Sequence, residues 1–212
     1  MSSLERGFKS WAERLSGGVR KDLELEPYAL LPPESLAEYL DVRLMTPREV
    51  DGLQKESLEH LLYGDPWSWS AVTLTTDGQT RVIYNPRRSA GRRASNLMHE
   101  LAHILLDHEP SRVILSYDGS MVMRTFDARQ EEEAGWLAGC LLLPRVALLR
   151  AVRAGQTSSL IAEAYGVTPV LANYRIHVCG VDAQVQALAR RVGRKRAAPK
   201  RPHARESLKS DP

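Results

Sequence analysis

Residues 89–109 of this chain read SAGRRASNLMHELAHILLDHE, and they carry the clearest structural signal in the sequence. Apolar residues recur in it at three- and four-residue steps, which predicts a largely buried helix over 90–107 with Ser89 as its N-cap. His99 and His103 are four residues apart, about 40° around the helix axis, so both imidazoles project from one side and can hold one ion. The stretch therefore combines a core helix with two candidate metal ligands.

The five residues HELAH, 99–103, match the pattern HExxH. Zinc suits a pair of imidazole nitrogens and tolerates an open fourth position for water. Glu100 falls about 60° beyond His103 around the axis, too far to share the ligand face comfortably but within reach of an attacking water as a general base. A chance match occurs in roughly one chain of this length in a hundred. The sequence predicts zinc held by His99 and His103, with Glu100 placed where it could act on a metal-bound water.

A catalytic zinc site needs a third protein ligand, and a second predicted helix, over 130–143, opens with three glutamates. The first of them, Glu131, shares a helix face with Gly135, Ala138 and Gly139. Such a stripe of small residues would let this helix approach the HExxH helix closely. We therefore expect Glu131 to be the third ligand. The alternative is that all three glutamates are first-turn acids favoured by the helix dipole.

Three other side chains have open roles. His108 is one residue away from the spacing of a third histidine ligand, so it is expected to be either a partner of a ligand or a surface residue. Tyr165 and Tyr174 are candidates for stabilising the oxyanion of a hydrolytic reaction, and the alternative for each is a core aromatic with a wet hydroxyl. None of the three is included in the predicted site.

The segments HELAHILLDHEP (99–110) and EEEAGWLAGCLLLPR (131–145) together resemble the ImmA/IrrE metallopeptidases of bacteria and phages. The resemblance extends to FKSWAERL (8–15), RVIYNP (81–86) and the segment 162–175, so it covers more than half of the chain. It implies a zinc-dependent endopeptidase that cleaves a helix-turn-helix repressor, usually encoded beside it. Cleavage would derepress genes of a stress response, a mobile element or a phage.

Carried over by position, the resemblance implies that His99, His103 and Glu131 are the metal ligands. It also implies that Glu100 is the catalytic base. The family pattern has Asn or Asp where this chain has Gly135. That side chain would orient a ligand, and losses of this kind typically weaken metal affinity or activity by about 10–100-fold.

Two other classes of function remain open. One is a non-proteolytic regulatory protein, which would bind a repressor or DNA and carry a degenerate zinc site. The other is a metallo-toxin paired with a DNA-binding antitoxin. The segment 158–176 has the spacing of a helix-turn-helix, but its second helix begins with Thr-Pro-Val-Leu and lacks the side chains that read bases. We therefore expect packing or substrate docking there rather than DNA reading.

Composition bounds the class of protein further. Lys and Arg number 29 and Asp and Glu 26, but the segment 190–212 has a net charge of +7 and the rest of the chain −4. Nonspecific nucleic-acid contact is one candidate role for this basic tail, and a solvated, solubilising end is the alternative. Cys140 and Cys179 are too few for a thiolate zinc site or a disulfide framework. The longest apolar run, 136–143, is much shorter than the ~20 residues of a spanning helix, and the N-terminus has no signal core, so we expect a cytoplasmic protein without membrane segments.

The predicted fold class is α+β, mainly helical, with a small antiparallel sheet packed on the HExxH zinc helix. Strands over 71–74 and 81–84, joined by a Thr-Asp-Gly turn, form its hairpin. A second short hairpin is expected over 113–123. The expected organisation is an N-terminal helical region (1–64), a zinc metallopeptidase core (65–155), a helix-turn-helix-like region (156–189) and a basic disordered tail (190–212).

Overall fold

The computed structural model describes residues 4–64, 67–76, 78–109, 113–115, 121–124 and 127–197, with the backbone alone for 113–115, 121–124 and 191–197. The α-helices are α1 (Phe8–Asp22), α2 (Pro33–Tyr39), α3 (Lys55–Glu59), α4 (Ala90–Leu105), α5 (Ala128–Leu142), α6 (Arg145–Arg153), α7 (Ser158–Ala164), α8 (Pro169–Val178) and α9 (Val181–Ala197). The strands are β1 (Arg43–Met45), β2 (Ala71–Thr76), β3 (Gln79–Tyr84), β4 (Val113–Leu115) and β5 (Met121–Arg124). The mainly helical α+β class is confirmed.

The main sheet has the strand order β1–β3–β2. β2 and β3 form the predicted hairpin, with Ala71 opposite Tyr84. β1 pairs in parallel with β3, with Arg43 opposite Arg81, so the expectation of an antiparallel sheet is wrong for this strand. A parallel neighbour requires a long connection, which the chain between β1 and β3 supplies, with α3 and β2 in it. β4 and β5 form a separate antiparallel pair, as expected, and the turn between them lies outside the described residues.

The HExxH helix, α4, packs against β2, β3, α2 and α5. Its last turn is closed by a Schellman motif, in which the N–H of His108 donates to the carbonyl of His103 and the N–H of Asp107 donates to that of Ile104. Asp107 has a left-handed conformation, with φ of 52°, which a residue with a Cβ atom adopts uncommonly. The motif turns the chain back, so that His108 lies beside the last turn of α4.

The helix that follows, α5, begins two residues earlier than expected, because the carboxylate of Asp127 caps it by accepting the N–H groups of Arg129 and Gln130. It ends before Pro144, as expected. α5 packs against α4 on one side and α1 on another, and most of its residues from Glu133 onward are buried. α5 is therefore the central helix of the fold.

The carbonyl groups at the end of α5 lie in the core and accept hydrogen bonds from two buried arginines. Arg20 Nη2 donates to the carbonyl of Leu141 at 2.6 Å. Arg175 Nη2 donates to the carbonyl of Leu143 at 3.0 Å and pairs with Glu13 Oε1 at 2.7 Å. Arg20 is 0% exposed and Arg175 1%. These guanidinium groups satisfy carbonyls that the helix itself leaves without partners.

Buried apolar residues from the helices and from the main sheet form one continuous cluster. It takes members from the expected regions 1–64, 65–155 and 156–189, whose boundaries remain a prediction. α9 continues to Ala197, past the expected start of the disordered tail at Arg190, and residues 198–212 lie outside the described part of the chain. Across the described ranges, no single helix has both the length and the apolarity to cross a membrane; α5 and α6 reach them only as a pair bent by 48°.

Candidate metal centre

Three side chains from α4 and α5 converge on one point. His99 Nε2 lies 3.1 Å from His103 Nε2 and 3.1 Å from Glu131 Oε2. His103 Nε2 lies 3.7 Å from Glu131 Oε1. These three residues form a group whose ligand atoms could hold one metal ion. The structure thus brings together the three residues that the sequence predicts as ligands.

The spacing of these atoms suits a small metal ion. Tetrahedral zinc with bonds of about 2.0–2.1 Å separates its ligand atoms by about 3.3 Å, close to the distances observed here. The side chains of His99, His103 and Glu131 are 30%, 20% and 35% exposed. The cluster therefore has a face open to solvent, which a catalytic site needs for a water molecule or a substrate.

Glu100, the candidate base, lies beside His99 on α4 and contacts the sheet. Thr73 Oγ1 on β2 donates a hydrogen bond to Glu100 Oε2 at 2.6 Å. No local sequence pattern signals Thr73, because this contact joins two elements distant in sequence. The hydrogen bond holds the Glu100 carboxylate on the side of α4 that faces β2.

His108 is a partner of a candidate ligand, which was one of its two expected roles. Its Nδ1 lies 2.9 Å from Nδ1 of His103, and its Nε2 lies 3.2 Å from Glu133 Oε2. Arg129 Nε donates to the other oxygen of Glu133, Oε1, at 2.9 Å. The side chains of His108 and Glu133 are 7% and 11% exposed, more buried than the candidate ligands themselves. Glu133 is therefore not an ordinary first-turn acid on a solvated helix face.

The expected reason for the two glycines of α5 is wrong. Gly135 is exposed, and a Cβ atom built on it would meet nothing within 4 Å. A Cβ atom on Gly139 would lie 2.9 Å from Cδ of Arg175, which belongs to α8 rather than to α4. Neither glycine therefore allows α4 to approach. Gly139 instead leaves room for the buried arginine.

The helix-turn-helix-like segment, α7 and α8, packs onto the start of α4. Gly166 lies in the turn between the two helices, with φ of 61°. A Cβ atom on Gly91 would lie 2.8 Å from the backbone carbon of Val167, so the first turn of α4 lies directly against this turn. The segment therefore makes a packing contact, which is one of the two roles that the sequence predicts for it.

The two oxyanion candidates lie on this same segment. The hydroxyl of Tyr165 donates to the carbonyl of Tyr28 at 2.6 Å, and burial raises the pKa of Tyr165. Tyr174 is 52% exposed on α8. Within the described ranges, no hydrogen bond joins either tyrosine to the cluster of His99, His103 and Glu131.

The sequence matches a protein-family model, the IrrE N-terminal-like domain of peptidase family M78, over residues 37–177. The match spans about two thirds of the chain and includes α4, α5 and all three members of the His–His–Glu cluster. A comparison with curated proteins gives no match.

Proposed function

Since the chain belongs to the IrrE-type metallopeptidases of peptidase family M78, we propose that it is a zinc-dependent endopeptidase that cleaves a helix-turn-helix transcriptional repressor. The observation that carries the proposal is the convergence of His99, His103 and Glu131 from two helices. Two imidazoles and one carboxylate form a donor set typical of catalytic zinc.

Zinc, when bound, acts as a Lewis acid that polarises the scissile carbonyl and lowers the pKa of a water molecule. Glu100 takes the proton from the attacking water, whose oxygen bonds to the carbonyl carbon. Glu100 then gives the proton to the leaving amine nitrogen as the C–N bond breaks. Thr73 holds the Glu100 carboxylate in place through its hydrogen bond.

The sheet offers a place for the substrate backbone. Among the described strands, β2 pairs only with β3, so its other edge presents main-chain hydrogen-bonding groups. An extended peptide can add to such an edge as a further strand. Because Thr73 of β2 contacts Glu100, a peptide on this edge would run past the candidate base. A segment of the repressor that can become extended is therefore the expected target.

Four proteins test the proposal: the wild type, Glu100→Gln, Glu131→Gln and, as a control for charge loss in the same helical turn, Glu132→Gln. Zinc content is measured first. Each protein is then incubated with the helix-turn-helix protein encoded by the neighbouring gene, and cleavage is followed by mass spectrometry. We expect about one zinc ion in the wild type, and cleavage by the wild type and the control. Glu100→Gln should keep zinc without cleaving, and Glu131→Gln should lose zinc.

The outcomes separate the competing functions. Zinc binding by the wild type without any cleavage would favour the regulatory binding protein, with repressor capture as its activity. A wild type that binds no zinc would contradict the assignment of all three ligands. Cleavage by Glu100→Gln at the rate of the wild type would contradict the role of Glu100 as base.

A further inference from the structure

Each imidazole of a metal-binding pair has a second nitrogen, and the structure gives that of His103 a partner. The Nε2 atom of His103 faces His99 and Glu131, while its Nδ1 atom faces His108. His108 in turn reaches Glu133 through its own Nε2 atom. We name the contacts Glu133–His108–His103 the carboxylate–histidine relay.

The ring protons of the relay are fixed by the chemistry of the imidazoles. His103 can present a lone pair at Nε2 to a metal only when its proton lies on Nδ1. His108 Nδ1, 2.9 Å away, must then accept that proton's hydrogen bond, so His108 carries its own proton on Nε2. That Nε2–H group donates to Glu133 Oε2 at 3.2 Å. A carboxylate accepts without donating, so only one direction of the relay satisfies every atom.

The local fold explains why the relay exists. His103 and His108 occupy the two positions, C3 and C″, that are in contact in a Schellman motif and usually carry apolar side chains. Here a hydrogen bond between two imidazoles replaces the apolar contact. Arg129 anchors the far end by donating to Glu133 Oε1, and it also pairs with Glu5 at 2.9 Å.

We propose that His108 and Glu133 are positioning residues that hold His103 in the tautomer and ring orientation needed for metal binding. They orient a ligand in place of the Asn or Asp of the family pattern, whose position Gly135 occupies here. The inference rests on the proposed metal site. Groups that orient a metal-binding histidine raise its basicity and restrict its rotation, and their loss typically costs about 10–100-fold in metal affinity.

Glu133→Gln is the sharpest substitution, because it keeps size and shape. Arg129 Nε needs an acceptor, so the amide oxygen would take the place of Oε1 and the amide NH2 group would face His108 Nε2. His108 would then have to carry its proton on Nδ1, directly against the proton of His103 Nδ1. His108→Ala removes the acceptor altogether. His108→Asn keeps a carbonyl oxygen that can accept from His103.

The experiment measures the zinc dissociation constant by competition with a chromophoric chelator, and the melting temperature with and without zinc. Glu132→Gln is the matched control. We expect Glu133→Gln and His108→Ala to weaken zinc binding about 10–100-fold and to reduce the zinc-induced rise in melting temperature. The zinc-free melting temperature of Glu133→Gln, which keeps size and shape, should stay near that of the wild type. His108→Asn should recover part of the affinity, and the visible spectrum of the Co²⁺ form should change in Glu133→Gln but not in Glu132→Gln.

The results distinguish the relay from the metal site itself. Wild-type zinc affinity in both Glu133→Gln and His108→Ala would overturn the relay while leaving the proposed function intact. A lower zinc-free melting temperature with an unchanged zinc-induced rise would also overturn it, because the two residues would then be merely structural. A wild type that binds no zinc would overturn the proposed function, and the relay with it.

Discussion

The two ends of α5 lie in opposite environments. At its start, Glu131 faces His99 across a cluster that is open to solvent, with the Glu131 side chain 35% exposed. At its end, the carbonyl of Leu143 accepts from Arg175, which is 1% exposed. One end presents ligand-type atoms to the outside, and the other satisfies its backbone inside the core.

This difference indicates that substitutions within one helix can change metal binding and the stability of the protein separately. Partly exposed carboxylates contribute little to the free energy of unfolding, because water solvates them in the folded protein as well as in the unfolded chain. Buried, hydrogen-bonded arginines are costly to remove, because their partners stay in the core without compensation. Substitutions at the start of α5 should therefore change metal binding, and those at its end should change the free energy of unfolding.

The largest expected effect is that of Arg175→Met. The carbonyl of Leu143 and the carboxylate of Glu13 would lose a buried donor, so we expect the free energy of unfolding to fall by about 3–5 kcal/mol. Urea unfolding measures the loss, with Arg153→Met, an exposed arginine on α6, as control. Equal stability of the two variants, or a loss of zinc affinity in folded Arg175→Met protein, would contradict the separation of the two ends.

Gly139→Ala should also destabilise the protein. The new Cβ atom would lie 2.9 Å from Cδ of Arg175, whose guanidinium is held by its hydrogen bonds and cannot move away freely. Overpacking of this kind costs about 1–3 kcal/mol and outweighs the ~1 kcal/mol gained in helix propensity. Thermal unfolding shows whether the substitution lowers or raises the melting temperature. A variant more stable than the wild type would mean that Arg175 is mobile.

Cys140 makes the buried end sensitive to alkali. Burial raises the pKa of its thiol from 9.0 to about 12, so above pH 9 the unfolded chain loses this proton before the folded protein does. The stabilisation is fully present below pH 9 and declines as pH rises toward 12, by up to about 1.4 kcal/mol per pH unit. Urea unfolding of the wild type and Cys140→Ala at successive pH values tests this. The variant should show a shallower decline, though not a flat one, since burial raises the pKa of Cys179 too.

The smallest expected effect is a gain, from Gly135→Ala. A Cβ atom at this exposed position meets nothing within 4 Å, so the variant should be more stable by about 0.5–1 kcal/mol through helix propensity alone. Zinc affinity should not change, because alanine adds no hydrogen-bonding group. Paired with Gly139→Ala, the same substitution would act with opposite signs at two positions one turn apart in α5, and equal signs would undermine the contrast.

The sequence predicts best what depends on nearby residues. The periodic stretch 89–109 locates α4, a Thr-Asp-Gly turn locates the β2–β3 hairpin, and Pro144 marks the end of α5. Helical phase favours Glu131 among the three glutamates as the third ligand, and the structure places its carboxylate 3.1 Å from His99 Nε2. The expected contact of Gly135 and Gly139 with α4 is wrong, because a stripe of small residues does not say which neighbour it faces.

What the sequence could not provide are contacts between distant segments. The parallel pairing of β1 with β3 and the bond from Thr73 to Glu100 depend on how the chain crosses over. Arg20 and Arg175 look like ordinary surface arginines in sequence, yet both are buried. His108 was ambiguous for a similar reason, because its partner Glu133 lies on another helix.

The Schellman motif at the end of α4 has a consequence for sequence alignments of this family. The motif places the fifth residue after the second histidine against that histidine. The relay therefore corresponds to the signature HExxHxxxxH followed by ExE, and the first Glu of ExE is the candidate ligand. Members that carry Asn or Asp at the position of Gly135 should be free to vary at the last histidine and the last glutamate of this signature. Members with glycine there should retain both. Covariation among these three columns would mark two alternative ways of orienting a ligand on one scaffold.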